Sequence, residues 1–196
     1  MRLSALLVVL ALGGCAAEGP DAVAIPPAPI PVASAPELLA QRLPSQAAGF
    51  QRGATVPLRQ PFPGVEVAYA TPGRTAAGFV QVLRAPGDTA SAPDGIQAPA
   101  VQAEYQRSIT EAARGAGAHR RLTVVREVSH PEENPLFRCA ELEGTYGRQP
   151  VQSMICVGAA GGQLLRLRVS MPRRNPPLAD SRAFLSEIVA ALRVSR

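Results

Sequence analysis

The sequence predicts an α+β fold, in which helices flank a largely antiparallel sheet of about six or seven strands. The main observation is a series of three apolar runs, Leu136–Tyr146, Val151–Ala159 and Gln163–Met171, separated by short segments that contain Gly and Pro. Runs of this length and spacing are typical of antiparallel strands in a meander. Two segments with helical periodicity, Pro99–Arg114 and Asp180–Arg193, lie on either side of the meander. The expected order is helix, three strands, helix, four strands, helix (α-βββ-α-ββββ-α).

The first turn of the meander predicts how its strands pair. If the turn centres on Gly147-Arg148, Cys139 lies opposite Cys156 on the next strand. A slip of one residue would move every side chain to the other face, so the register is strongly constrained. Cysteines that face each other on antiparallel strands are within reach of a disulfide. We therefore predict a Cys139–Cys156 disulfide; the alternative is two free cysteines packed as small hydrophobic residues.

The second turn of the meander is predicted as a short loop over Ala159–Gly161. This loop places Ile155 beside Leu165 on the following strand. It also places four charged side chains on one face of the sheet: Glu141, Glu143, Arg166 and Arg168. Opposite charges on neighbouring strands stabilise each other, so we expect a structural charge ladder rather than a catalytic pair of carboxylates.

The elements before the meander are predicted from periodicity and from Gly and Pro. A short helix, Pro36–Leu43, begins with a proline, which is tolerated in the first turn of a helix. Alternating or continuous apolar residues then indicate three strands, Phe50–Arg59, Val65–Ala70 and Ala76–Ala85. The loop Ala85–Ala98, rich in Gly, Pro, Ser and Asp, leads to the next helix.

The two long helices are predicted from their apolar stripes. Val101, Tyr105 and Ile109 share one face of Pro99–Arg114. A strand, His119–Val128, connects this helix to the meander. Asp180 is the expected N-cap of the last helix. Its predicted buried face consists of Phe184, Leu185, Ile188, Val189 and Leu192.

This order of elements resembles the PsbP-like α/β sandwich, a family that includes photosystem-associated extrinsic proteins and various bacterial envelope proteins. The resemblance covers residues 47–196 and is a resemblance of element order. What it implies is an arrangement of helices on a sheet. Because one fold serves many functions, the resemblance assigns no activity.

The first fifteen residues have the organisation of an export signal. Arg2 supplies a positive charge, and the apolar run Leu3–Leu12 is too short to span a bilayer. The run ends in Leu12-Gly13-Gly14-Cys15, which resembles the lipobox of bacterial lipoproteins. The resemblance implies that residues 1–14 are a signal peptide and that Cys15 carries a diacylglycerol and an acylated amino group. Three acyl chains, at about 0.8 kcal/mol per buried methylene, anchor a protein permanently. An ordinary secretory signal is the alternative.

Residues 15–35 are predicted to form a tether between the membrane and a single domain at residues 36–196. The segment Pro26–Pro31 favours an extended polyproline conformation. In enterobacterial lipoproteins an Asp after the cysteine favours retention in the inner membrane, whereas this chain has Ala16. We therefore expect anchoring at the periplasmic face of the outer membrane. The tether offers few side chains of the kind that dominate interfaces, so we expect partner binding on the domain.

The charge of the chain indicates an ordinary surface. All 20 basic residues are arginines, and the net charge is +5. Acidic residues are interspersed with the arginines, and no basic run exceeds two residues, which argues against a nucleic-acid partner.

No motif in the sequence identifies a reaction. There is no Gly-x-Ser-x-Gly, and the histidines are His119, beginning a strand, and His130, in a loop with Glu132 and Glu133. Neither has the spacing of a metal site. The glycines Gly158, Gly161 and Gly162 lie between strands, which indicates a hairpin turn rather than a phosphate loop. We therefore predict no catalytic, cofactor-binding or metal-binding residues.

These observations predict a non-catalytic envelope lipoprotein. It would be anchored to the membrane through Cys15 and would act as a binding or assembly module for an envelope protein partner. Two alternatives remain at this point. One is a periplasm-facing enzyme without a recognisable motif, and the other is a lipoprotein that binds a small ligand or lipid under its helices.

We predict that the mature protein begins at Cys15 and carries acyl chains there. The positive charge, the short apolar run, the small residues and the cysteine occur together as a lipoprotein signal requires. The intact mass of membrane-extracted protein should match cleavage before Cys15 plus added acyl chains, and Cys15→Ser should remove them. A soluble periplasmic product cleaved at another position would contradict this prediction.

Overall fold

The computed structural model describes residues 34–85, 94–114 and 120–193. These residues all belong to one compact unit, Ala33–Arg196. The predicted signal peptide, Cys15, His119 and nearly all of the predicted tether lie outside the described residues.

The described residues form one antiparallel sheet of eight strands with three helices. The spatial order of the strands is β1-β2-β3-β4-β8-β7-β6-β5. The strands are β1 (Gln46–Ala47), β2 (Phe50–Leu58), β3 (Gly64–Ala70), β4 (Ala77–Arg84), β5 (Arg120–His130), β6 (Phe137–Tyr146), β7 (Gln149–Ala160) and β8 (Gln163–Pro172). The helices are α1 (Ala35–Gln41), α2 (Pro99–Arg114) and α3 (Ser181–Arg193).

The predicted fold class is wrong. The molecule is more strand-rich than an α+β fold with six or seven strands in the order α-βββ-α-ββββ-α. The additional strand is β1, which pairs with the start of β2 through a turn at Ala48 and Gly49, both of which have positive φ. A strand of two residues has no apolar periodicity, so the sequence pattern did not reveal it. In addition, β5 continues to His130, past its predicted end at Val128.

The long helices match their predictions closely. α2 spans the predicted Pro99–Arg114, and its side chains Val101 and Tyr105 are buried. The whole predicted apolar face of α3 is buried. Asp180 caps α3 as predicted, because its carboxylate accepts hydrogen bonds of 2.9 Å from the backbone N–H groups of Arg182 and Ala183.

The predicted register of the first hairpin is confirmed. Tyr146 pairs with Gln149 across the turn, and Cys139 pairs with Cys156. The left-handed conformation needed in this turn is supplied by Gly147, with φ of 59°. The two cysteine Sγ atoms lie 2.09 Å apart, at disulfide distance.

The predicted register of the second hairpin is wrong. The turn consists of Gly161 and Gly162, with φ of 55° and 73°, and Ala160 pairs directly with Gln163. Two consecutive residues with positive φ are the requirement of a tight two-residue hairpin turn, and Gly-Gly meets it. As a result, Ile155 pairs with Arg168 instead of lying beside Leu165.

This register divides the side chains between two faces of the sheet. Cys156, Leu165 and Leu167 pack on one face against residues of α1 and α3. Ile155 and Leu164 pack on the other face against residues of α2. We call these the α1/α3 face and the α2 face.

We predict that Cys139 and Cys156 form a disulfide in natively exported protein. The predicted signal would export the domain to the periplasm, where thiols at this distance normally oxidise. Peptide mapping without reduction should recover the crosslinked pair, and the double variant C139A/C156A should lower the free energy of unfolding by about 3 kcal/mol, the value expected for a loop of this size. Finding both thiols alkylated in unreduced protein would show that the cysteines are free.

Candidate functional site

The α2 face is only partly covered. The helix lies against β5 and β7, and the part of the face that carries Glu66, Phe79, Arg168 and Ser170 is open to solvent beside it. A groove of about 480 Å³ runs along this boundary, and we call it the α2 groove. It is lined by Glu66, Phe79, Gln81, Ser108, Glu111, Ala112, Ile155, Arg166, Arg168 and Ser170.

One wall of the α2 groove is held by a buried carboxylate. The Glu104 side chain is 1% exposed. It accepts hydrogen bonds from Arg107 Nε at 2.9 Å, from Ser108 Oγ at 3.2 Å and from Arg166 Nη1 at 3.2 Å. A buried charge is tolerated when it is paired and hydrogen-bonded in this way. Because Arg166 belongs to β8, this interaction ties α2 to the centre of the sheet.

The floor of the groove is a chain of hydrogen bonds across three strands. Arg166 Nε donates to Gln81 Oε1 at 2.6 Å, and Gln81 Nε2 donates to Glu66 Oε2 at 2.6 Å. Glu111, which is 52% exposed, also accepts from Arg166 Nη1 at 3.2 Å. The positive charge of Arg166 is therefore neutralised by carboxylates on α2.

Arg168 lies two positions further along the same face, and its charge is not neutralised by any described carboxylate within ion-pair distance. Its Nε donates to Ser170 Oγ at 3.2 Å. Its cross-strand neighbours are Phe79 on one side and Ile155 on the other. Phe79 is 37% exposed, so the groove combines a cation with an accessible aromatic ring.

The expected charge ladder does not form. Glu141 and Glu143 lie on the α1/α3 side, and Arg166 and Arg168 lie on the α2 face, because the second hairpin has a different register from the predicted one. Glu141 instead accepts a hydrogen bond of 2.9 Å from Arg182 Nε. Glu143 accepts from Arg173 Nη1. These pairs are partly exposed and contribute little to stability.

His130 was predicted to lie in a loop. Instead, it is the last residue of β5 and contacts α3. Its Nε2 lies 3.1 Å from Ser186 Oγ, and that hydroxyl donates to the Arg182 carbonyl at 3.0 Å. Since the hydroxyl has one proton, the imidazole must donate to it, which is the reverse of what activation of a serine nucleophile requires. Burial, together with the positive charges of Arg182 and Arg193, lowers the pKa of His130. We therefore interpret the hydrogen bond between His130 and Ser186 as a structural contact between β5 and α3.

A second polar cluster lies near the start of α2. The Arg138 guanidinium stacks over the Tyr105 ring at 4.5 Å and donates to Gln102 and Glu127 at 2.7 and 2.8 Å. Burial, followed by the negative charge of Glu127, raises the pKa of Tyr105 to about 12. The hydrogen bond from Arg138 lowers the pKa of Glu127. This cluster fixes α2 on β5 and β6 and leaves no charge unpaired.

The remaining candidate residues have structural roles. Gly158 lies within β7, where a Cβ atom would stand 1.9 Å from the Leu136 carbonyl oxygen, so close strand packing requires glycine there. Gly161 and Gly162 form the hairpin turn. Within the described ranges, no three His, Cys, Asp or Glu side chains are grouped so as to hold a metal ion, His130, Glu132 and Glu133 included. None of the described helices is long and apolar enough to cross a membrane.

No protein-family model matches the sequence, and a search of curated proteins finds no match.

Sequence reasoning did not find the α2 groove. Its residues come from five separate elements, β3, β4, α2, β7 and β8, and the pairing of β8 was predicted incorrectly. The available signal was the Gly161-Gly162 dipeptide. Read as a two-residue turn, it places Arg166 and Arg168 on the face opposite Leu165 and Leu167.

Proposed function

We propose that this chain is an envelope lipoprotein, anchored through Cys15 at the periplasmic face of the outer membrane. In this proposal its domain is non-catalytic and acts as a binding or assembly module for an envelope protein partner. The anchor is supported by the lipobox Leu12-Gly13-Gly14-Cys15 and by the short apolar run before it.

The observation that carries the binding role is the open α2 groove. An exposed aromatic ring lies at the centre of the sheet beside an arginine that has no carboxylate partner among the described residues. Aromatic residues and arginines are the side chains that most often dominate the energy of protein interfaces. The surrounding polar residues resemble the polar rim of such a surface.

The two edges of the sheet are less suited to binding a partner strand. In β2 the outer edge contains Pro57, which lacks an N–H donor, and a register shift between Arg52 and Thr55. In β5 a bulge lies between Val124 and Arg126. Proline and bulges are features that prevent strand addition. Their presence favours the groove over the edges as the binding surface.

Binding of a small organic ligand is the second candidate. It is favoured by the volume of the groove, about 480 Å³, which falls in the range of small-molecule sites. The openness of the groove to solvent and its many polar side chains favour a protein segment instead, since small-ligand sites enclose most of their ligand.

We predict that a partner protein crosslinks to the α2 groove. Replacing Phe79 with the photoreactive residue p-benzoylphenylalanine in the lipidated protein, followed by irradiation of intact envelopes, should give a discrete protein adduct. The matched control places the same residue at Tyr146, which is 66% exposed and does not line the groove. The control should give no such adduct.

Two results would contradict the proposal. Adducts of equal yield at Phe79 and Tyr146 would show collision with neighbouring proteins rather than a binding surface. An adduct at Phe79 that contains only a small molecule would favour the second candidate.

A further inference from the structure

The two arginines on the α2 face of β8 have different environments. Arg166 donates to Gln81, Glu104 and Glu111, and its charge is neutralised. Arg168 lines the same groove, but the described side chain that accepts a hydrogen bond from it is a neutral serine. Its two terminal nitrogens, with four of the five N–H donors of a guanidinium, have no acceptor among the described residues.

The guanidinium of Arg168 is held in place by a directed chain of hydroxyl groups. Ser153 Oγ donates to the Val169 carbonyl at 2.8 Å, so the hydroxyl of Ser170 must be the donor in the 2.6 Å contact between the two serines. Ser170 Oγ is then an acceptor for Arg168 Nε at 3.2 Å. This chain orients the guanidinium before any ligand binds. Orienting a group in advance lowers the entropy cost of binding.

The groups around Arg168 favour one class of ligand. A planar guanidinium binds a carboxylate through two parallel hydrogen bonds. The ring of Phe79, its direct cross-strand neighbour, offers apolar contact next to that charge. Glu66 lies in the same groove, so a single negative charge fits better than the two charges of a phosphate.

We propose that the α2 groove recognises a carboxylate beside an apolar side chain in a peptide segment of the partner protein. Arg168 binds the carboxylate, and Phe79 contacts the apolar side chain. A fatty acid is a poorer occupant, because most side chains that line the groove are polar or charged, and they offer little apolar surface to an alkyl chain. This inference rests on the proposed function, since it names the group that the groove recognises in a partner.

Two probe peptides that differ in one charge test the inference. Acetyl-Leu-Glu-Leu-amide and acetyl-Leu-Gln-Leu-amide are titrated by NMR into the lipidated protein in nanodiscs. The Glu peptide should bind with a dissociation constant roughly five-fold lower than that of the Gln peptide. The largest shifts should occur at Phe79, Arg168 and Ser170.

Three variants separate the roles of the groove residues. Arg168→Gln should abolish the difference between the two peptides. Glu66→Gln, in the same groove, should increase the difference, because it removes a competing negative charge. Phe79→Ala should weaken both peptides without changing their ratio.

Equal binding of the two peptides to the unmodified protein would overturn the inference, as would a difference that survives in Arg168→Gln. Displacement of the Glu peptide by laurate at lower concentration than by further Glu peptide would also overturn it, since the occupant would then be a lipid carboxylate. Failure here and failure of the proposed function remain distinguishable. A partner adduct at Phe79 without discrimination between the peptides rejects the carboxylate and keeps the binding surface.

Discussion

The pairing register between β7 and β8 decides which side chains face each half of the domain. The turn at Gly161-Gly162 places Leu165 and Leu167 on the α1/α3 face. It places Arg166 and Arg168, which alternate with these leucines along β8, on the α2 face. A slip of one residue would exchange these sets. It would bury Arg166 and Arg168 among the apolar residues of α1 and α3, at the cost of desolvating two charges.

The same register explains the position of α2. With Arg166 on the α2 face, the buried carboxylate of Glu104 has a partner on the sheet as well as on its own helix. Removing both partners would leave a buried charge uncompensated, which is strongly unfavourable. Apolar packing of Val101 and Tyr105 against the sheet supplies the rest of the attachment. Since α2 lies over β5 and β7 and reaches β8 at Arg166, the part of the face around Phe79 and Arg168 remains open and forms the groove.

The closed α1/α3 face and the open α2 groove therefore differ in chemical character. The α1/α3 face is closed by an aromatic cluster in which the Phe184 ring lies 4.7 Å from Phe50 and 5.2 Å from Tyr69. The Tyr69 hydroxyl donates to the Pro44 carbonyl at 2.7 Å, so this core has its polar group satisfied. The α2 groove, in contrast, keeps a charged donor and an aromatic ring accessible. Because the Arg168 guanidinium and the Phe79 ring are accessible in this groove, the surface is suited to binding a partner.

Local signals in the sequence predicted the long helices and the first hairpin. The α2 and α3 stripes repeat over three or more turns, and Gly147 offered one plausible turn. Three features were not predicted. β1 is too short for a periodic pattern, and the glycines at Gly158, Gly161 and Gly162 allowed more than one turn between β7 and β8. The groove depends on where α2 rests on the sheet, which tertiary packing decides.

Cross-strand NOEs between backbone protons of β7 and β8 test the account most directly, because the groove exists only in one register. The observed register predicts NOEs that link Met154 with Val169 and Cys156 with Leu167. NOEs that instead link Ile155 with Leu165 and Met154 with Arg166 would place the arginines on the other face. In that case Arg168 would not reach the groove, and both the site and its proposed ligand would be wrong.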